Sequence, residues 1–317
     1  ASTPASGGIE PIELTIYSPG NENSVPTKTI IEYARLVNEA SDGAITLDVH
    51  HSNELGSDAE SIESTRMGTI DLIFAGTSGF TSFYEKAKVL DLPFLFDSAE
   101  QAYEVTNSEI GEQIFSGLEE FGLVFLSEGD NGMRHISTTN RPVHTAADVQ
   151  GLKIRVQDMK SQTDMMNYLG GIPVAMSYGD VYTSLQTGII DGTENNETAL
   201  TTGKHGEVCK VYSVDQHAMI PDVLIMSEKV WKQISPEDQE IILEAAHNST
   251  EAHKVMWDTA IEEAVKEAQE TMGVEFVYDV DKEAFREATQ PMIEAYEEQY
   301  PGVKTLMDTI EAAREGE

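Results

Sequence analysis

In the stretch "GLKIRVQ", Leu152, Ile154 and Val156 alternate with Lys153, Arg155 and Gln157, the period-two pattern of a strand. Similar readings run along the whole chain. "IELTIYS" predicts a strand and "VPTKTIIEYARLVNEASDG" a helix, with Ile31, Ala34, Leu36 and Val37 on its apolar side and Gly43 beyond its end. The strand "AITLDVHH", a helix through "DAESIESTRMG" and the strand "TIDLIFAG" complete a βαβαβ opening. That order predicts a largely parallel sheet covered by helices.

After the apolar run "KVLDLPFLF", two helical segments in "SAEQAYEVTNSEIGEQIFSGLEEFG" and the strand "LVFLSEG", the pattern starts again. "MRHISTT", "GLKIRVQ" and "IPVAMS" read as strands, with helices through "KSQTDMMNYLGG" and "GDVYTSLQTGII". A chain of 317 residues exceeds one comfortable core, so two α/β lobes are expected. The expected division puts residues 10–126 and about 213–250 in lobe I, and 127–212 and about 251–317 in lobe II.

From Ser235 to Gly273 the chain holds no Gly and only the one Pro at the first helical position, with Asp238 placed for a capping box. One helix through Pro236–Met272 would reach roughly 55 Å, long enough to brace both lobes. The alternative is two helices broken near "HNST", since Asn248, Ser249 and Thr250 are indifferent helix formers. If the helix is single, these three residues are the expected place for a bend when the lobes move.

Composition narrows the chemistry. The chain carries 20 Lys and Arg against 56 Asp and Glu, a formal net charge of −36. Such a surface repels phosphate, which excludes nucleic acid as a partner, and it points to a salt-tolerant source. Cys209 is the only cysteine, so neither an intrachain disulfide nor a cysteine metal cluster can form. Fingerprints for dinucleotides, P-loop nucleotides, zinc proteases and serine hydrolases are missing, and no cofactor or metal is expected. The histidines are dispersed, with His50, His51, His247 and His253 read as surface residues. The opening "ASTPASGGIEPIEL" begins without Met and is rich in small residues, as expected of a mature exported chain after signal-peptide removal.

Against the acidic background, Arg134 in "NGMRHIST", Arg155 in "GLKIRVQ" and Asn195 in "LQTGIIDGTENN" stand out. Arginine presents a planar fork that matches a carboxylate in two parallel hydrogen bonds, and an Asn can both donate and accept. Pairing of each arginine with a surface carboxylate remains the alternative on these residues alone.

Several stretches in order, "RHISTTNRPVHTAADVQGLKIRV", "GGIPVAMSYGDVYTSLQTGIIDGTENN" and "SEKVWKQISPEDQEII", together with "HHSNELGSDAESIESTRMGTIDL" and "VLDLPFLF", resemble the DctP-type solute-binding proteins of tripartite ATP-independent periplasmic (TRAP) transporters. The resemblance implies a two-lobed periplasmic binding protein fold, with a ligand cleft between the lobes and a long helix spanning both. It implies that Arg155 pairs with a ligand carboxylate, that Asn195 and Arg134 are pocket positions, and that Tyr178 sets an aromatic ring against the ligand. Asn21, Asn23, Glu63, Thr77 and Ser78 are candidates for the remaining contacts. Sialic-acid members carry an acidic residue and an arginine in the stretch corresponding to "FAGTSGF", where this chain has Gly76 and Gly79, so the resemblance points away from sialate.

The reading is a monomeric, non-enzymatic periplasmic protein that captures a small organic acid and delivers it to the TRAP permease. A sugar acid such as a uronate is the first expectation. A C4-dicarboxylate, another small carboxylate or an amine is the alternative ligand. The competing classes are a cleft enzyme acting on a sugar with paired carboxylates, and a sensing module.

Overall fold

A computed structural model describes residues 11–315 of the chain. The small-residue opening read as the start of an exported chain lies almost wholly outside them. The strands are β1 Ile12–Tyr17, β2 Ile45–His50, β3 Leu72–Gly76, β4 Leu123–Gly129, β5 Arg134–Thr138 and β6 Lys153–Val156. They continue with β7 Ile172–Ala175, β8 Gly192–Asn195, β9 Val211–Ala218, β10 Asp222–Ser227 and β11 Glu275–Val277. The helices begin with α1 Val25–Ala40, α2 Asp58–Met67, α3 Ala99–Thr106, α4 Glu109–Phe115, α5 Lys160–Tyr168 and α6 Val181–Gln186. The remainder are α7 Thr198–Thr201, α8 Glu228–Trp231, α9 Pro236–Glu270, α10 Lys282–Gln299 and α11 Pro301–Glu315.

The strands form two sheets, ordered β2-β1-β3-β10-β4 and β11-β9-β5-β8-β6-β7. β1 pairs with β2 and β3 in parallel, as the alternation of strands and helices predicts, whereas β10 enters antiparallel between β3 and β4. The chain therefore changes sheet between β4 and β5, again between β9 and β10, and a third time, through α9, between β10 and β11. The expected lobe limits at 126/127 and 212/213 fall inside β4 and β9, so the crossings at 130–133 and 219–221 lie several residues later.

The helix α1 forms because Ser24 caps it, its hydroxyl accepting from Thr27 N, and Pro26 sits in the first turn, where no amide is needed. Its buried face is Ile30, Tyr33 and Val37, packed with Ile16, Leu72 and Ala245; Ile31, expected on the apolar side, is exposed. A one-position error of this kind is natural where two apolar residues are adjacent and the helical turn decides between them. The larger core is continuous across both sheets, holding Ile73 and Val223 of the first and Ile136 and Ile154 of the second together with Leu90 and Phe285.

The 35-residue α9 is unbroken. Ser235 caps it, accepting from Asp238 N at 3.2 Å. It packs on α1, β4 and α7, and its Ala268 joins Tyr212 of β9 in one apolar cluster, so it touches both sheets. Among the described residues no helix is long and apolar enough to cross a membrane.

Candidate ligand cleft

Arg155 lies on β6 between β7 and β8, in register with Val174 and Thr193. Both neighbours, Ile154 and Val156, are buried, and so is Arg155, at 2% exposure. Its Nε and Nη2 donate to the carbonyl of Met176 at 3.1 and 2.8 Å. Among the described residues it has no carboxylate within 4.0 Å. Burial, and less strongly the neighbouring Arg134, push its guanidinium down to about 10, against the fields of Glu194, Tyr178 and Asp58.

Arg134 begins β5 and is equally buried, but it is not free for a ligand in the same way. Its Nε and Nη2 donate to the two carboxylate oxygens of Glu194 on β8, at 2.6 and 3.0 Å. Glu194 in turn faces His217 Nε2 at 3.3 Å, and His217 Nδ1 lies 2.8 Å from Asp215. Burial disfavours the Glu194 charge, yet Arg134 and His217 outweigh it and bring the carboxyl down to about 2. Burial likewise opposes charge on His217, but Asp215 and then Glu194 raise it to about 9.

Two adjoining cavities open on Arg155. The smaller, about 130 Å³, has Arg134, Asn195, Asp222 and Trp257 in its wall; the larger, about 230 Å³, has Ser78, Lys88 and Tyr296. Asp58, Arg155, Gln157 and Tyr178 belong to both. Asn195 uses its side-chain oxygen to accept from Asn196 N at 2.9 Å, which turns its amide nitrogen away from that bond. Tyr178 stands in a short 3-10 turn with its ring 5.6 Å from that of His205.

Of the other expected contacts, Ser78 is in place, accepting from Gln157 Nε2 at 3.5 Å across the cleft. Glu63 is a correction: it is exposed, pairs with Arg66 one turn along α2, and faces neither cavity. The carboxylate that α2 does present is Asp58 at its first position, between Ser57 and Glu60 of the capping pair. Asn23 is exposed and donates its backbone amide to Asn21. Asn21 reaches across to donate to the carbonyl of Thr202 at 3.2 Å, a bridge at the cleft mouth rather than a cavity wall. Thr77 is buried beside the strand end and lines neither cavity.

Asp58, Asp222, Gln157 and Trp257 escaped sequence reasoning. Asp222 accepts from Asn131 Nδ2 at 3.1 Å, and burial first, then the nearby Asp58, raises its pKa well above the usual carboxylate range. Burial also raises Asp58, countered mainly by Arg155. Trp257, on α9, is buried and its indole nitrogen has no partner among the described residues. His253, expected at the surface, is buried instead, held by Thr29 and by the carbonyl of Asp130. Among the described residues no group of His, Cys, Asp or Glu side chains is placed to hold a metal ion.

An arginine without a carboxylate partner, ringed by acceptors and donors in an interlobe cleft, is arranged to take a polar anion. The comparisons agree. The model of the family described as bacterial extracellular solute-binding protein, family 7, matches residues 18–299. A solute-binding protein of Chromohalobacter salexigens is 32% identical over 299 residues, 94% of this chain and 88% of the relative. The solved TRAP periplasmic solute-binding protein of Sulfitobacter sp. NAS-14.1, with bound β-D-galacturonate, has a TM-score of 0.90 at 33% identity, covering 93% of this chain and 98% of that one. Its counterpart from Chromohalobacter salexigens DSM 3043, with bound D-glucuronate, has a TM-score of 0.92 at 31% identity, covering 95% and 99%. The long helix touching both sheets, the interlobe cleft and the matched residues lead to one conclusion: the chain belongs to the family 7 bacterial extracellular solute-binding proteins, the binding proteins of TRAP transporters.

Proposed function

We propose that this protein captures a uronate in the periplasm and delivers it to the membrane subunits of a TRAP permease. The observation that carries the ligand assignment is Arg155, a buried guanidinium with no carboxylate within 4.0 Å among the described residues. Burying an anion is costly unless it is paired, so a carboxylate seated there is compensated and oriented at once. Asn195, Asp58, Asp222, Gln157 and the Trp257 indole nitrogen then serve the ring hydroxyls, which both donate and accept. Arg134, already neutralised by Glu194, positions β8 and contributes at most its remaining nitrogen. The galacturonate and glucuronate held by the two solved relatives support a sugar acid over a C4-dicarboxylate or an amine.

Delivery follows from the two lobes. A ligand touching both favours the closed form by its differential affinity, and bridges such as Asn21 to Thr202 then fasten the mouth. Thermal unfolding with galacturonate, glucuronate, galactose and succinate tests the reading. A uronate at 100 times its Kd should add about 2.7 kcal/mol of stability, and galactose should add none. A shift with succinate and none with either uronate would replace the sugar acid by a dicarboxylate.

A further inference from the structure

The cleft does not end at Arg155. The larger cavity extends it to a wall built from Lys88, Lys160, Tyr296 and Tyr300. Lys88 Nζ lies 5.0 Å from the centroid of the Tyr300 ring, and Lys160 Nζ lies 5.9 Å from that of Tyr296. The two rings are 5.6 Å apart and inclined at 61°. In a chain with 20 basic residues against 56 acidic ones, three cationic side chains around one cavity is a concentration that the rest of the surface does not predict.

Carboxylates face the same space, Asp58, Asp91 and Asp158 in its wall and Asp164 beside it, but they leave the two lysines donors to spare. Asp164 lies beside Lys160, and Lys88 donates to the carbonyl of Thr81, but an ammonium has three donors and keeps capacity for another acceptor. Asp91 is buried and accepts from Ser161 Oγ at 2.9 Å. Burial raises it to about 7, against Ser161, Lys88 and Thr81, so its negative charge is reduced at neutral pH. Asp58 and Asp158 stand at the cavity's other sides, where they can accept from hydroxyls.

We propose that this larger cavity is a second sugar subsite, so that the cleft takes an acidic disaccharide: its first carboxylate meets Arg155, its second ring lies on Tyr296 and Tyr300, and its second carboxylate reaches Lys88 and Lys160. The inference rests on the uronate reading above and extends it to a ligand of two units. Tyrosine rings offer an apolar face to sugar C–H groups, and the Tyr296 hydroxyl, which donates to Asp164 at 2.9 Å, can still accept from a sugar hydroxyl. The continuity of the two cavities through Arg155, Gln157 and Tyr178 supplies the passage for the glycosidic link.

Calorimetry on the full chain with galacturonate and with α-1,4-linked digalacturonate tests this, using wild type, Lys88→Met and Lys160→Met. Wild type should bind both ligands, and each substitution should weaken digalacturonate by roughly threefold to tenfold while leaving galacturonate unchanged. The Lys160 side chain is 70% exposed, so its variant keeps the test intact should Lys88→Met not fold. A wild type that binds galacturonate but not the disaccharide overturns the second subsite alone. So do variants that leave digalacturonate affinity unaltered or weaken both ligands alike. A wild type that binds neither ligand overturns the uronate reading itself, and this inference with it.

Discussion

Arg134 and Glu194 form a buried ion pair, Nε to Oε2 at 2.6 Å, directly beside the unpaired Arg155. The two arginines should therefore respond oppositely to the same substitution. Arg134→Met leaves Glu194 buried without its main counter-charge, and breaking such a pair from one side costs about 3–5 kcal/mol of stability. Arg155→Met removes a charge that burial disfavours and keeps the hydrocarbon stem, so stability should hold or rise. Uronate affinity should fall by about 2–5 kcal/mol, since the ligand carboxylate loses its partner. Urea unfolding and calorimetry on both variants check the pair. Equal destabilisation by the two would mean that Arg155 is a structural cation rather than a ligand group.

The difference between these arginines marks how far the sequence can be read. Arg155 stood out because period-two alternation put a scarce cation on a strand, and α9 because a capped run lacked any internal Gly or Pro. Glu194 could not be assigned to Arg134 from the chain alone: they are 60 residues apart, and only the antiparallel register of β5 with β8 brings them together. Asp58 and Asp222 were hidden among 56 acidic residues, whose local patterns are alike whether they face solvent or cleft. Naming Glu63 was an error of helix phase, since it stands five residues beyond Asp58 on α2, about 140° round the helix, on the side that faces water.

At the mouth Gly179 lies close against Asn53. A Cβ added to Gly179 would lie 2.5 Å from Asn53 Nδ2, across the cleft from the loop after β2. The contact is with the end of a flexible side chain that can swing aside, so Gly179→Ala should weaken uronate binding only modestly, without lowering the melting temperature of the ligand-free protein. Asn53 is exposed, and shortening it to alanine removes the clash. The double variant Gly179→Ala/Asn53→Ala should recover affinity relative to Gly179→Ala. Failure of that recovery in calorimetry would assign the loss to the turn's backbone rather than to the contact with Asn53.

The charge network beneath the cleft predicts a pH effect. His217 is raised to about 9 in the fold from an ordinary value near 6.5, because Asp215 and Glu194 outweigh the burial that opposes its charge. Between those two values the folded protein binds the extra proton and the unfolded chain does not. Its stabilising contribution is therefore complete below about pH 6.5 and lost as the pH rises through about 9. Other buried groups titrate over part of this range, so the readout is a difference. Melting temperature should fall more steeply with pH in wild type than in His217→Gln over that window, and parallel curves would remove His217 as the linked group.

The last prediction concerns where the lobes turn. The low helix propensity of Asn248, Ser249 and Thr250 made them the expected place for a bend if α9 is single, and the helix does run through them unbroken. Ser249 Oγ donates back to Ala246 O at 2.7 Å, a bond internal to the helix. Thr250 Oγ1 also reaches Glu128 O at 3.1 Å, and His253 Nε2 lies 2.5 Å from Asp130 O. Both partners belong to the end of β4 and the residue after it, immediately before the chain crosses between sheets. The helix is thus pinned at the crossing, and the turning point should be the crossing strands rather than the helix interior. Asn248→Ala/Ser249→Ala should leave the fall in radius of gyration on adding galacturonate unchanged. Thr250→Val should cost about 0.5–1.5 kcal/mol of stability and alter that fall, because it removes one of the two bonds that tie the crossing to the helix. Small-angle scattering distinguishes the two: compaction abolished by the Asn248 and Ser249 pair, and untouched by Thr250→Val, would put the bend back inside α9.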